Sequence, residues 1–188
     1  MIAKQSNVNT DTWPAHVADV IEKIINACQS LGLTGQKRMY DSSRDDQHSA
    51  QHAVAFVANG TTVWLIPSPA LYPLGSAKPR AWLINVSAVV DNPAPELLSR
   101  SMMGNLNRYA SLLAVVLQNN KVAIGARFTI ESPETDLDAP TYESLSGLIT
   151  LTAHAIWSAL RLSVSLSRPS PNAIDFLTNT QTALSSAP

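Results

Sequence analysis

Val17, Val20, Ile21, Ile24, Ile25, Cys28 and Leu31 recur at intervals of three and four residues. That spacing predicts an amphipathic helix over about Pro14–Leu31, with His16, Asp19, Lys23, Asn26 and Gln29 on the opposite, polar face. Thr12 is placed to cap it, Pro14 suits its first turn, and Gly32 suits the left-handed position that ends it. A second stripe, Leu145, Leu148, Ile149, Thr152, Ile156, Ala159 and Leu160, predicts a last helix over about Ala139–Leu166. Asp138 is its expected cap, and Pro169-Ser170-Pro171 ends it.

Between these stripes the period changes to two. After Asn119-Asn120, Val122, Ile124, Ala126, Phe128 and Ile130 alternate with Lys121, Arg127, Thr129 and Glu131. Tyr109–Glu131 therefore reads as one β-hairpin with a core face and a water face. Asn59-Gly60 between His52–Ala58 and Thr61–Ile66 predicts a second hairpin, because both residues accept the positive φ of a two-residue turn. Both faces of these strands are apolar, so they are expected near the centre of a sheet. Arg80–Val90 predicts a further strand and Lys37–Ser43 a short one. Ser42–Gln51 and the proline-rich Pro67–Pro79 are expected to be loops. Pro95–Asn107 has the helical spacing Leu97, Leu98, Met102, Leu106.

The order is thus α-β-β-β(-β)-α-β-β-α. Helices do not alternate with strands, so the pattern predicts an α+β fold with helices packed on an antiparallel sheet. Residues 1–168 form one expected domain, and 169–188 an expected mobile tail. Charged residues are 14% of the chain, below the usual level of roughly 25%. With a net charge of −1 and no Lys/Arg cluster, no nucleic-acid footprint is present. The N-terminal residues lack a secretory apolar core, and the apolar runs are shorter than the ~20 residues of a membrane helix. The expectation is a cytoplasmic protein with no membrane contact.

Few residues offer chemistry. Asp45, Asp46, His48 and His52 are the best candidates for a metal or acid/base cluster, but no full ligand motif is present and the expected reading is a solvated loop. His154 is expected as a partly buried structural histidine. Ser144 and Ser146 lack the nucleophile-elbow pattern, and the Gly32/Gly35 pair lacks the flanking strand and helix of a phosphate loop. Arg127 could meet an anion from the polar face of its strand. Cys28, alone in the chain, is expected to act as a buried hydrophobe. Trp13, Trp64, Trp82 and Trp157 are expected core or interface anchors. No catalytic, cofactor-binding or metal residue is assigned.

Leu106–Leu160 carries a resemblance. LNRY after a helix, a hairpin ending in GARFTIE, the loop LDAPTYESL and a helix containing HAIWSAL resemble the YbjN family. By element order the resemblance extends over roughly residues 14–166. It implies the fold of the type III secretion chaperones: helix, three strands, helix, two strands, helix. It also implies a non-enzymatic homodimer that binds other proteins without a cofactor. The expected interface is either the second helix, through Leu98, Met102 and Met103, or the Leu112–Leu117 strand, through Leu112 and Val116. The runner-up is a small metal- or ligand-binding enzyme using the Asp45–His52 segment.

Overall fold

The computed structural model describes residues 13–44, 47–70, 81–91, 93, 112–119, 121–131 and 142–167, with the backbone alone at 42–44, 47–49, 118, 131 and 142–144. The elements are α1 (Ala15–Ser30), β1 (Gly35–Arg44), β2 (Gln47–Ala58), β3 (Thr61–Ala70), β4 (Ala81–Val90), β5 (Ala114–Gln118), β6 (Lys121–Glu131) and α2 (Tyr142–Ser167). The strands form one six-stranded sheet in the order β1-β2-β3-β4-β6-β5, and every neighbouring pair is antiparallel. This is the expected α+β class. The expected helix at Pro95–Asn107 and the tail from 169 lie outside the described residues.

α1 buries the predicted stripe: Val17, Ile21, Ile24 and Cys28 are fully buried. It begins one residue after Pro14, which serves as N-cap without a side-chain hydrogen bond. Its C-terminus closes as a Schellman motif. Leu33 N–H donates to Cys28 O at 2.9 Å and Gly32 N–H to Gln29 O at 2.9 Å, with Gly32 at φ +78°. α2 packs beside α1 and across β2, β3, β4 and β6. Leu145–Ser167 is long and apolar enough to cross a membrane, with mean hydropathy 1.2. Here its Ala155, Ile156 and Ala159 are fully buried in the core formed by the sheet and α1.

The sheet's helix-facing positions are Val54 and Phe56 of β2, Val63 and Leu65 of β3, Ile84 and Val86 of β4, and Val122 and Ile124 of β6, all buried. Burying such aliphatic and aromatic side chains stabilises by roughly 1.5–3 kcal/mol each. Asn59 and Gly60 adopt φ +51° and +78°, as the predicted turn requires, and Asn119 adopts φ +52° in the turn between β5 and β6.

Two expected loops are strand where they are described, the first at 42–44 and 47–51 and the second at 67–70. Ser42–Gln51 is largely the far end of a long β1–β2 hairpin, paired from Gly35↔Phe56 to Arg44↔Gln47. Its polar residues pair through the backbone, so composition misled. β3 likewise continues through Pro67 and Pro69 to Ala70. The two-residue turn after Ala58 makes Ala58↔Thr61 a hydrogen-bonded pair, so residues 61, 63 and 65 aim their N–H groups at β2. Positions 67 and 69 continue that parity. The β2 ladder stops at Val54↔Leu65, while β3–β4 pairing runs on to Ala70↔Ala81. The prolines therefore lose only donors on the side where the ladder ends.

Candidate functional site

Both described helices cover one face of the sheet. Among the described residues no helix or strand covers the other face. Register places one row across it: Val57 opposite Thr62, Val89 opposite Ala123, and Val116 opposite Ala123. The β3–β4 register, continued by one residue, brings Thr62 opposite Val89. Val57, Val89 and Val116 are 52%, 51% and 54% exposed. The next row is Ala55, Trp64, Ser87, Gly125 and Ala114. Apart from Thr62 and Ser87 the two rows are apolar, and they cross five strands as a band, about 19 Å at the usual strand spacing.

Tyr40 and Trp64 border this band. Their ring centroids lie 5.1 Å apart, edge to face at 65°. β1 and β3 flank β2, so the rings meet above the intervening strand. Ala53 and Ala55 of β2 are fully buried on that face. Only small side chains there leave room for the two rings to meet. A shallow depression beside the pair is lined by Tyr40, Thr62, Trp64, Val89, Asp91 and Ser167. Lys121 and Asp91 form an ion pair of 2.7 Å near one end of the band. Toward the other end, Arg127 Nε donates to Asn85 Oδ1 at 2.8 Å, and Asn85 Nδ2 donates to Ser68 Oγ at 3.1 Å and Ile66 O at 3.2 Å. The guanidinium is therefore oriented by its neighbours on the sheet.

The Asp45–His52 cluster does not form a described metal site. Asp45 and Asp46 lie outside the described residues, and of His48 only the backbone is described. His48 and His52 belong to strand β2, where four residues span roughly 13 Å instead of the single turn a helix gives. His52 is half-buried, with its ring 6.4 Å from that of Trp13. Among the described residues no three His, Cys, Asp or Glu side chains converge on a common point. His154 is exposed, contrary to expectation, because the buried stripe of α2 runs through Thr152, Ala153, Ala155 and Ile156. His16 corrects the polar-face reading of α1: its Nε2 is buried, with no hydrogen-bond partner among the described residues. Ser146 is exposed on α2, and the Ser144 side chain is not described.

Cys28 is fully buried, and desolvation pushes its thiol up to about 12. The four tryptophans are all half-buried. Trp157 meets Arg161 at 4.4 Å, and Lys37 lies 6.0 Å from the Trp13 ring while pairing with Glu22. Of the interface candidates, Leu98, Met102 and Met103 fall outside the described residues. Leu112 and Val116 are exposed, and Val116 ends the open-face row. That row was missed in the sequence because it joins residues of five strands, and no single strand displays it.

No protein-family model and no curated protein matches the chain.

Proposed function

We propose that the chain is a cytoplasmic, non-enzymatic protein-binding module, chaperone-like and homodimeric, working without a cofactor. The observation that carries this reading is the half-exposed valine row on the open sheet face. Contiguous apolar surface of this kind marks interaction sites. The low charge content of the chain agrees with it. In this reading the Val57–Val89 part of the band takes an apolar segment of a client. The Val116 end, with Leu112 beside it, meets the second copy.

The finer fold assignment, a YbjN-like member of the type III secretion chaperone architecture, belongs to the same proposal. Its support is the antiparallel sheet, the helices on one face and the late β5–β6 hairpin followed by a long helix. Four strands, not three, precede the β5–β6 pair, so β1 is an addition to that architecture.

Sedimentation velocity over a range of micromolar concentrations tests the homodimer. The wild-type chain is expected to sediment as a dimer, and Val116→Asp as a folded monomer. A wild-type monomer at every concentration overturns the dimer. A photo-crosslinking residue at position 89, compared with one at 154 on α2, tests the client surface. Equal crosslinking at both positions overturns that assignment.

A further inference from the structure

We propose that β1 pairs antiparallel with β1 of a second copy, about a twofold axis through Met39, so that two sheets continue into one. The contact goes beyond the function proposed above and does not depend on it. β1 and β5 lie at opposite edges of the sheet, so it is separate from the Val116 contact.

Among the described residues no strand pairs with the outer side of β1. Parity shows which backbone groups face that side. The turn at Asn59-Gly60 makes Ala58↔Thr61 a bonded pair, so the even-numbered residues of β2 aim at β3. The odd-numbered residues of β2 aim at β1, where their register partners are the even-numbered residues from Gln36 to Arg44. Gly35, Lys37, Met39, Asp41 and Ser43 therefore aim their N–H and C=O groups away from the sheet.

These five residues restrict the pairing. Self-pairing satisfies them only when odd positions meet odd positions, so the axis must pass through a residue, not between two. Centred on Lys37, Arg38 or Asp41, it sets like charges directly opposite, which destabilises. Centred on Tyr40, it sets Lys37 opposite Ser43 and Asp41 opposite Met39, with no charge match. Centred on Met39, it sets Lys37 opposite Asp41 of the second copy, and Asp41 opposite its Lys37. Gly35 and Ser43 meet in the same way, so all five outward residues of each copy gain backbone partners.

The side chains agree with that register on both faces. On the helix side, Met39 is 50% exposed and meets its own equivalent. Lys37 already pairs with Glu22 of α1 at an exposed site, and the seam brings it a second carboxylate. On the open side, exposed Arg38 comes opposite the Tyr40 ring of the second copy, a cation beside an aromatic face. Charges on an edge strand ordinarily keep other strands away. Here their order about Met39 admits one register and repels its neighbours.

The seam is narrow. Nine residues of edge, about 30 Å long and 10 Å deep, fall well short of the roughly 800 Å² per partner of a stable interface. The contact is therefore weak at micromolar concentrations and is best read by trapping.

The test is disulfide trapping of Met39→Cys in the full chain under oxidised glutathione. A bonded antiparallel pair holds its Cα atoms about 5.5 Å apart, within disulfide reach. Gln36→Cys is the control, exposed on the same strand but about 20 Å from its equivalent in this register. Cys28 is fully buried and does not compete. Linked dimers are expected severalfold faster for the variant at position 39. Equal rates, or no linked dimer at position 39, overturn the proposal. Asp41→Lys and Lys37→Asp are then added separately to the Met39→Cys chain. Each variant repels itself in this register, whereas a mixture sets Lys opposite Asp at both positions. Trapping should fall severalfold for either alone and return as the mixed dimer, with the circular dichroism melts in place. Equal trapping alone and mixed overturns the register. Trapping is repeated with Val116→Asp added. An undiminished rate keeps the β1 contact whatever sedimentation decides about Val116, and a lost one overturns β1 as a separate contact.

Discussion

Gly35 opens β1 opposite Phe56. A methyl group built there meets Phe56 Cε1 and Val54 Cγ1, each at 2.9 Å. Both neighbours are fully buried, so neither has a free direction in which to move. Two effects oppose one another in Gly35→Ala. Removing a strand glycine stabilises by roughly 0.5–1 kcal/mol, because the unfolded chain loses freedom. Overpacking a close-packed core costs roughly 1–3 kcal/mol. The clash wins, for a net loss of about 1–2 kcal/mol. In a domain of this size that lowers Tm by roughly 2–8 °C. Urea unfolding followed by tryptophan fluorescence measures the loss directly. Adding Phe56→Leu supplies an internal control, since the vacated ring space accepts the new methyl. The double variant should be less destabilised than the sum of the singles by about 1 kcal/mol. A Gly35→Ala protein as stable as the wild type, or more so, would refute the close-approach reasoning.

Other consequences are measurable. Cys28 should resist thiol reagents in the native protein at pH 8 and react fully on unfolding. Its folded thiol titrates near 12 against 9.0 unfolded, so the folded state holds the extra proton between those values. Stability should therefore fall as pH rises through that window, by up to ~1.4 kcal/mol per pH unit, and Cys28→Ala should flatten that part of the profile. Gly60→Ala places a side chain at φ +78° and should cost about 1–2 kcal/mol in urea unfolding. Pro67→Thr restores an N–H aimed at β2. That ladder has already ended at Val54↔Leu65, so hydrogen exchange should show a rapidly exchanging amide at position 67, and strong protection there would contradict the strand parity described above. Ala53→Leu should push Tyr40 and Trp64 apart, seen as a changed near-ultraviolet circular dichroism band.

The helices were legible in the sequence because α1 and α2 each bury one stripe, and burial on one side writes itself as a period of three and four. The turns at Asn59-Gly60 and Asn119 were legible because positive φ admits few residues. Lys37–Ser43 was legible as the body of β1, but the continuation of that hairpin through the first half of β2 was not. Its Ser, Arg, Gln and His side chains make no core, and the backbone ladder that holds them leaves no trace in hydropathy. Pro67 and Pro69 misled for a related reason: a proline is incompatible only with the donor it removes, and here that donor faces the place where pairing ends. Gly35 was weighed as half of a phosphate-loop motif, whereas its smallness serves Phe56. The open-face row depends on five strands in register. Val57, Val89 and Val116 are ordinary strand residues until the pairing is known.

The position of β6 has a consequence for synthesis. Ala81 pairs with Glu131, fifty residues later in the chain, with β5 still further out. At roughly 5–20 residues per second, β4 waits on the order of seconds on the ribosome before its partner emerges. During that delay the edge that β6 will occupy, with Ile84, Val86 and Ala88 alongside, is open to any other extended chain. The nascent protein is most vulnerable to mispairing at that one seam, and a slower ribosome over codons 91–131 would widen the window.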